Sequence, residues 1–286
     1  LDLLYWSTGN PCPDLNGERR PGDNLYTNSV LALRPQTGEL VWYFQFTPHD
    51  THDWDAQEPL LLVDEEFRGR PRKLLLQGNR NGFFYVLDRT NGQFLLGEPF
   101  VNQTWAAGMD DSGRPIVLPN TSPTEDGNDV CPAIRGATNW WATSYHPGTK
   151  LFYLLAHESC MTYTKNDQDW QRGRSWLGGS VRLADGSPNQ KFIRAIDIQT
   201  GDVVWSYAQT GKAQTYSGVL STDGDLVFFG EDSGAFAALD ARTGEPLWHF
   251  QVNQDWKASP MTYMVNGRQY VAIASGMGFW AFRLPG

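Results

Sequence analysis

Three stretches repeat one phrase: NSVLALRPQTGELVWYFQ (28–45), KFIRAIDIQTGDVVWSYA (191–208) and GAFAALDARTGEPLWHFQ (234–251). Each alternates apolar and polar residues, breaks at a Thr-Gly turn and resumes toward a tryptophan, which is the pattern of strand, turn and strand. A fourth, weaker copy is GFFYVLDRTNGQFLLGE (82–98). The turn glycines Gly38, Gly92, Gly201 and Gly244 supply a left-handed backbone position after turn-forming residues. Trp42, Trp205 and Trp248 stand at one fixed offset behind their turns.

Each copy follows another β-rich run: LYWSTGN, KLLLQGN, KLFYLLAHE and DLVFFGEDSG. A repeat of about 40 to 55 residues built from short alternating strands, with a Trp near the end of the last, describes a β-propeller blade. No run shows the 3.6-residue period of a helical repeat. The reading is an all-β chain of four blades with a partial one at 260–282, about four and a half in all. It is expected to form one partial propeller domain over 1–286, with excursions at 9–27, 101–138 and 159–190. Excursions of that length on a regular scaffold usually carry function.

The 286 residues are 40% hydrophobic and 13% aromatic, enough for a sizeable core. A net charge of −9 argues against a nucleic-acid or anionic-membrane surface. No apolar run approaches the roughly 18 residues of a membrane span. The chain opens inside a strand-like run, LDLLYWSTGNP, so it is read as a piece of something longer. Cys12, Cys131 and Cys160 include no CxxC or CxxCH, so neither a zinc ribbon nor a covalently attached haem is encoded. They allow one disulfide with one thiol left over.

The stretch TPHDTHDWDAQEP (47–59) gathers Asp50, Asp53, Asp55 and Glu58 around His49, His52 and Trp54. Taken alone it is a solvated acidic loop or a place where a base and a hard cation share carboxylates. Together with STGNPCP, RPGDNLYTNSVLAL, QGNRNGFFYVLDR and DVCPAIRGATNWW, in that order, it resembles the C-terminal half of the pyrroloquinoline-quinone (PQQ) alcohol dehydrogenases, the eight-bladed quinoproteins of the methanol/ethanol family. The likeness runs from residue 5 to residue 282.

The resemblance implies oxidation of a primary alcohol by hydride transfer to PQQ beside a metal ion, which acts as a Lewis acid. Asp53 matches the family's catalytic base and lies by the metal. Asn10, in GNP, matches a metal-binding amide, although Asn-Pro alone is only a turn signal. Arg80, in GNRNGFF, matches the arginine on the quinone oxygens, and Asn139 an amide near the quinone's reactive edge. Trp140 and Trp141 are candidates to wall that pocket. Tyr216 is a further candidate, standing with Ser217 where many members have Trp-Gly. Cys131 and Cys160 match a pair that the family joins by a disulfide, which implies an oxidising, periplasmic compartment.

An extended segment turns residues i and i+2 to one side, so Asp53 and Asp55 are expected to be able to reach one ion together. In this family an Asp two places after the base marks the lanthanide-dependent members, so a lanthanide(III) is expected in preference to Ca2+, with Asn10, Asp53 and Asp55 as ligands. Asp50 and His49 are read as shaping the loop, and Glu58 has no assigned role. A glutamate ligand, a vicinal-cysteine ring and a tryptophan floor belong to the family's N-terminal half and are absent from this chain. The expected partners are a small-molecule alcohol and a cytochrome c acceptor, with a homodimer in the intact protein. Two alternatives stand: a non-catalytic propeller scaffold, and a PQQ dehydrogenase acting on a sugar, polyol or aldehyde.

Overall fold

The computed structural model describes residues 1–212, 215–252 and 254–284. Every regular element among them is a strand. Three sheets have four strands: Leu61–Phe67, Arg70–Gly78, Phe83–Asp88 and Gln93–Pro99; Ser144–His146, Leu151–Glu158, Gln190–Asp197 and Val203–Ala208; and Val219–Thr222, Leu226–Gly230, Ala235–Asp240 and Pro246–Gln251. The first sheet (Leu4–Ser7, Ser29–Leu33, Leu40–Gln45) and the last (Met261–Val265, Arg268–Ser275, Gly278–Phe282) have three each. That is the strand content of four and a half blades. The deficit is shared between the first and last sheets, where the sequence reading had placed it all at the end.

The repeated phrase has a physical meaning at both of its ends. In each copy the strand pair carries a register shift just before the turn, between Ala32/Leu33, Val86/Leu87, Ala195/Ile196 and Ala238/Leu239. The tryptophan then pairs across the strand with an alanine: Trp42 with Ala32, Trp205 with Ala195 and Trp248 with Ala238. A small residue there leaves room for the indole. That indole lies against the turn glycine of the following copy. A Cβ on Gly92 would lie 2.6 Å from Trp42, and one on Gly244 2.6 Å from Trp205. Both glycines also have positive φ, 75° and 74°, so two independent constraints exclude a side chain.

The chain divides into two compact units. The first comprises Leu1–Trp140, His157–Gln190 and Gln199–Gly201. Its core includes Val30, Phe46, Trp54, Tyr85, Trp105 and Tyr163. The second comprises Trp141–Ala156, Lys191–Ile198 and Asp202–Gly286, with a core around Tyr153, Ile193, Trp205, Phe229 and Leu239.

The excursions carry structure of their own. Ala106–Met109 and Pro115–Val117 form a hairpin, while Asn128–Val130 joins Met161–Lys165 and Gly179–Leu183 in a three-stranded sheet. The Cys131–Cys160 disulfide ties two of these excursions together across 29 residues, and Cys12 is free and exposed. No helix among the described residues is long and apolar enough to cross a membrane.

Candidate active site

The loop at 47–59 is built around one buried carboxylate. Asp50 accepts hydrogen bonds from the backbone N–H of His52 (2.9 Å) and of Trp54 (2.8 Å), and from Asn28 Nδ2 (3.2 Å). Burial opposes its ionisation, but the hydrogen bonds from His52 and Trp54 outweigh that cost and hold the carboxyl below its ordinary range. His52 bonds Thr121 O through Nε2 (2.7 Å) and stacks on Trp54, whose Nε1 donates to Ala133 O (3.2 Å). Asp50, His52 and Trp54 therefore anchor the loop in the core, and Asp53 and Asp55 keep partly exposed side chains, 27% and 24%. Asp53 itself has a left-handed backbone, φ 62°, so the extended geometry expected across Asp53–Asp55 does not hold; Asp tolerates that conformation better than most side chains.

Arg80 joins the two acids. Its Nη1 lies 2.5 Å from Asp55 Oδ2 and its Nη2 3.5 Å from Asp53 Oδ2, while Nη2 also donates to Ile134 O (2.5 Å). The other Asp55 oxygen accepts the backbone N–H of Asn10 (2.8 Å). Asp53, Asp55, Asn10 and Arg80 thus form one cluster. A Cβ on Gly9 would lie 2.6 Å from Asp55 Oδ1, so the glycine of GNP is needed for that approach.

Charge in the cluster is unbalanced. Burial pushes Asp53 up, Arg80 draws it down, and Asp55, Asp14 and Asp50 push it up again, leaving it at about 7. Oxygen donors with surplus negative charge suit a hard cation. Among the described residues, however, no three His, Cys, Asp or Glu side chains converge on one point. The chain fits a metal ion as a contributor of part of a ligand set.

The remaining expected residues are placed differently. Asn139 makes local bonds, donating from Nδ2 to Arg135 O (2.9 Å) and accepting Trp140 N–H at Oδ1 (2.9 Å). Trp140 is 60% exposed, whereas Trp141 is buried. Tyr216 belongs to the second unit, where it stacks on Trp141 with centroids 5.6 Å apart and Lys257 Nζ 4.4 Å over its ring.

Sequence reasoning passed over Asp14 and Arg20 and gave Glu58 no role. Asp14 is half-buried and adds to the negative charge around Asp53, pushing that carboxyl up. Arg20 donates to the backbone oxygens of Asp50 (2.6 Å) and Pro13 (3.0 Å), tying the GNP excursion to the acidic loop. Glu58 is buried, and that burial pushes it well above the usual range. Only the density of acids in 47–59 signalled any of this.

The model for the PQQ glucose/ethanol/alcohol dehydrogenase β-propeller domain matches residues 1–108 and 208–271. The chain belongs to that family. Quinoprotein alcohol dehydrogenase PedH of Pseudomonas putida is 40% identical over 97% of this chain and 48% of its own length. The 1-butanol dehydrogenase (cytochrome c) of Thauera butanivorans is 37% identical over 97% of the chain and 43% of its own length. A europium-containing methanol dehydrogenase superposes with a TM-score of 0.89 at 32% identity, covering 98% of this chain and 50% of that one. The chain spans about half the length of the curated relatives it matches. Membership of this PQQ family accords with the all-strand fold and its partial blades.

Proposed function

We propose that the chain is part of a quinoprotein dehydrogenase that oxidises a primary alcohol to its aldehyde, with Asp53 as the base. The observation that carries this reading is the Asp53–Arg80–Asp55 cluster beside Asn10, within a chain of the PQQ family. Bound PQQ would supply the hydride acceptor, and a metal ion beside it would supply Lewis acidity. Within this chain, Asn10, Asp53 and Asp55 are the proposed metal-binding residues. A lanthanide is favoured over calcium, because two adjacent carboxylates supply more negative charge than a divalent ion needs. Likeness to a europium-containing relative supports that choice.

Asp53 takes the hydroxyl proton from the substrate, a role suited to a partly exposed carboxylate beside Arg80. Arg80 offers a fixed positive charge at the acids' edge and is the proposed quinone contact. Asn139, Trp140 and Tyr216 stay proposed cofactor neighbours on resemblance alone. A cytochrome c acceptor and a periplasmic location complete the proposal. It is supported by the cytochrome c named for one relative and by the Cys131–Cys160 disulfide. The proposal also keeps residues 1–286 as one partial propeller domain and the intact enzyme as a homodimer.

The test is Asp53→Asn in the full-length protein loaded with PQQ and lanthanum. Turnover with a primary alcohol is expected to fall by about 10²–10⁴, the usual worth of a positioned base. A rate within a few-fold of the unmodified enzyme would assign the proton to another group.

A further inference from the structure

Arg80 is held in place from both ends. Its stem lies against Gly136, where a Cβ would stand 2.6 Å from the Arg80 Cβ and Cγ, and its carbonyl accepts the Ala137 N–H (2.9 Å). At the other end the guanidinium spreads its two terminal nitrogens over Asp55 and Asp53, with Nη2 also on Ile134 O. The side chain is only 8% exposed. A planar fork buried on two carboxylates is a specific arrangement, one that a point charge cannot reproduce.

Both oxygens of Asp55 are engaged by these contacts, Oδ1 accepting the Asn10 N–H and Oδ2 the Arg80 Nη1. We infer that Arg80 is the built-in counter-cation of the Asp53–Asp55 pair, and that a metal ion can take up Asp55 Oδ2 only as Arg80 gives it up. The inference rests on the metal-binding reading above. It gives one guanidinium two successive positions: on the acids before metal binding, and turned from Asp55 afterwards. Metal binding and the position of Arg80 are then thermodynamically linked, so whatever weakens the ion pair strengthens metal binding by the same factor.

The sign of that linkage sets the proposal apart from a role for Arg80 confined to the quinone. In the full-length protein without quinone, at pH 8, terbium(III) alone is titrated by calorimetry against the unmodified protein, Arg80→Gln and Arg80→Lys. Arg80→Gln is expected to bind terbium more tightly than the unmodified protein, by roughly 5- to 150-fold, the usual span of coupling between linked equilibria. Arg80→Lys keeps the charge but loses the fork, and is expected to fall between the two. Equal or weaker binding by Arg80→Gln overturns the proposal. If the glutamine variant folds only when terbium is added, the linkage appears in its extreme form and supports the proposal. Should that variant not fold under any condition, Arg80→Lys decides, and binding no tighter than the unmodified protein's overturns the inference. Absence of terbium binding in every form would instead remove the metal reading and this inference with it.

Discussion

At the residue scale, two carboxylates three residues apart in one loop, Asp50 and Asp53, behave oppositely. Asp50 is buried and kept ionised by donated hydrogen bonds, whereas Asp53 is pushed to about 7 by burial and by neighbouring acids. The first holds the loop in place, and the second carries the cost of a carboxyl held well above its ordinary range. The sign follows from linkage. Asp53 has a folded pKa above its unfolded value of about 3.9, so the folded protein binds more protons between those values and stability falls as pH rises through them. In the metal-free full-length protein, Asp53→Asn is therefore expected to raise the melting temperature at pH 8 and to leave it unchanged near pH 3.5. Equal melting temperatures at pH 8 would show that Asp53 carries no such penalty. The acids of 47–59 were legible in the sequence because they are close in the chain. Arg20 and Asp14 were not, because their meeting with that loop depends on how the 9–27 excursion folds back, which no local pattern records.

At the scale of elements, the blade repeat was legible because its determinants are local: a turn glycine, a register shift and a tryptophan opposite an alanine lie within 18 residues. The sheet of Asn128–Val130, Met161–Lys165 and Gly179–Leu183 was not, because its strands are three to five residues long and its partners are remote in sequence. The Cys131–Cys160 bond, expected from resemblance, is present and bears directly on the site. Just beyond Cys131, Ala133 O receives the Trp54 indole and Ile134 O receives Arg80. Replacing both cysteines by serine is expected to lower stability by about 2–4 kcal/mol, read as a lower urea midpoint. Since the segment that holds Arg80 is also loosened, terbium binding in the same variant is expected to tighten along with it. An unchanged urea midpoint would mean that the small sheet alone fixes this segment.

At the scale of the whole molecule, the first and last of the five blade sheets have three strands where the other three have four. Among the described residues Leu4–Ser7 and Gly278–Phe282 are each paired on one side only. Both edges also carry exposed aromatics, Trp6 at 59% and Phe279 at 65%. A strand edge with free N–H and C=O groups and apolar side chains is a template for pairing with another chain. The net charge of −9 opposes association between copies, but it acts over a Debye length of about 8 Å at physiological salt, and backbone pairing takes place at closer range. The 286-residue chain produced by itself is therefore expected to self-associate with rising concentration, and more strongly as salt is added, in sedimentation velocity experiments. Placing lysine at both edges, as Trp6→Lys with Phe279→Lys, removes the apolar contact and adds a charge that an approaching strand must bury. That double variant is expected to sediment as a monomer at concentrations where the unmodified chain does not. If the two associate equally, the contact lies elsewhere on the surface and the three-stranded edges are not what drives it.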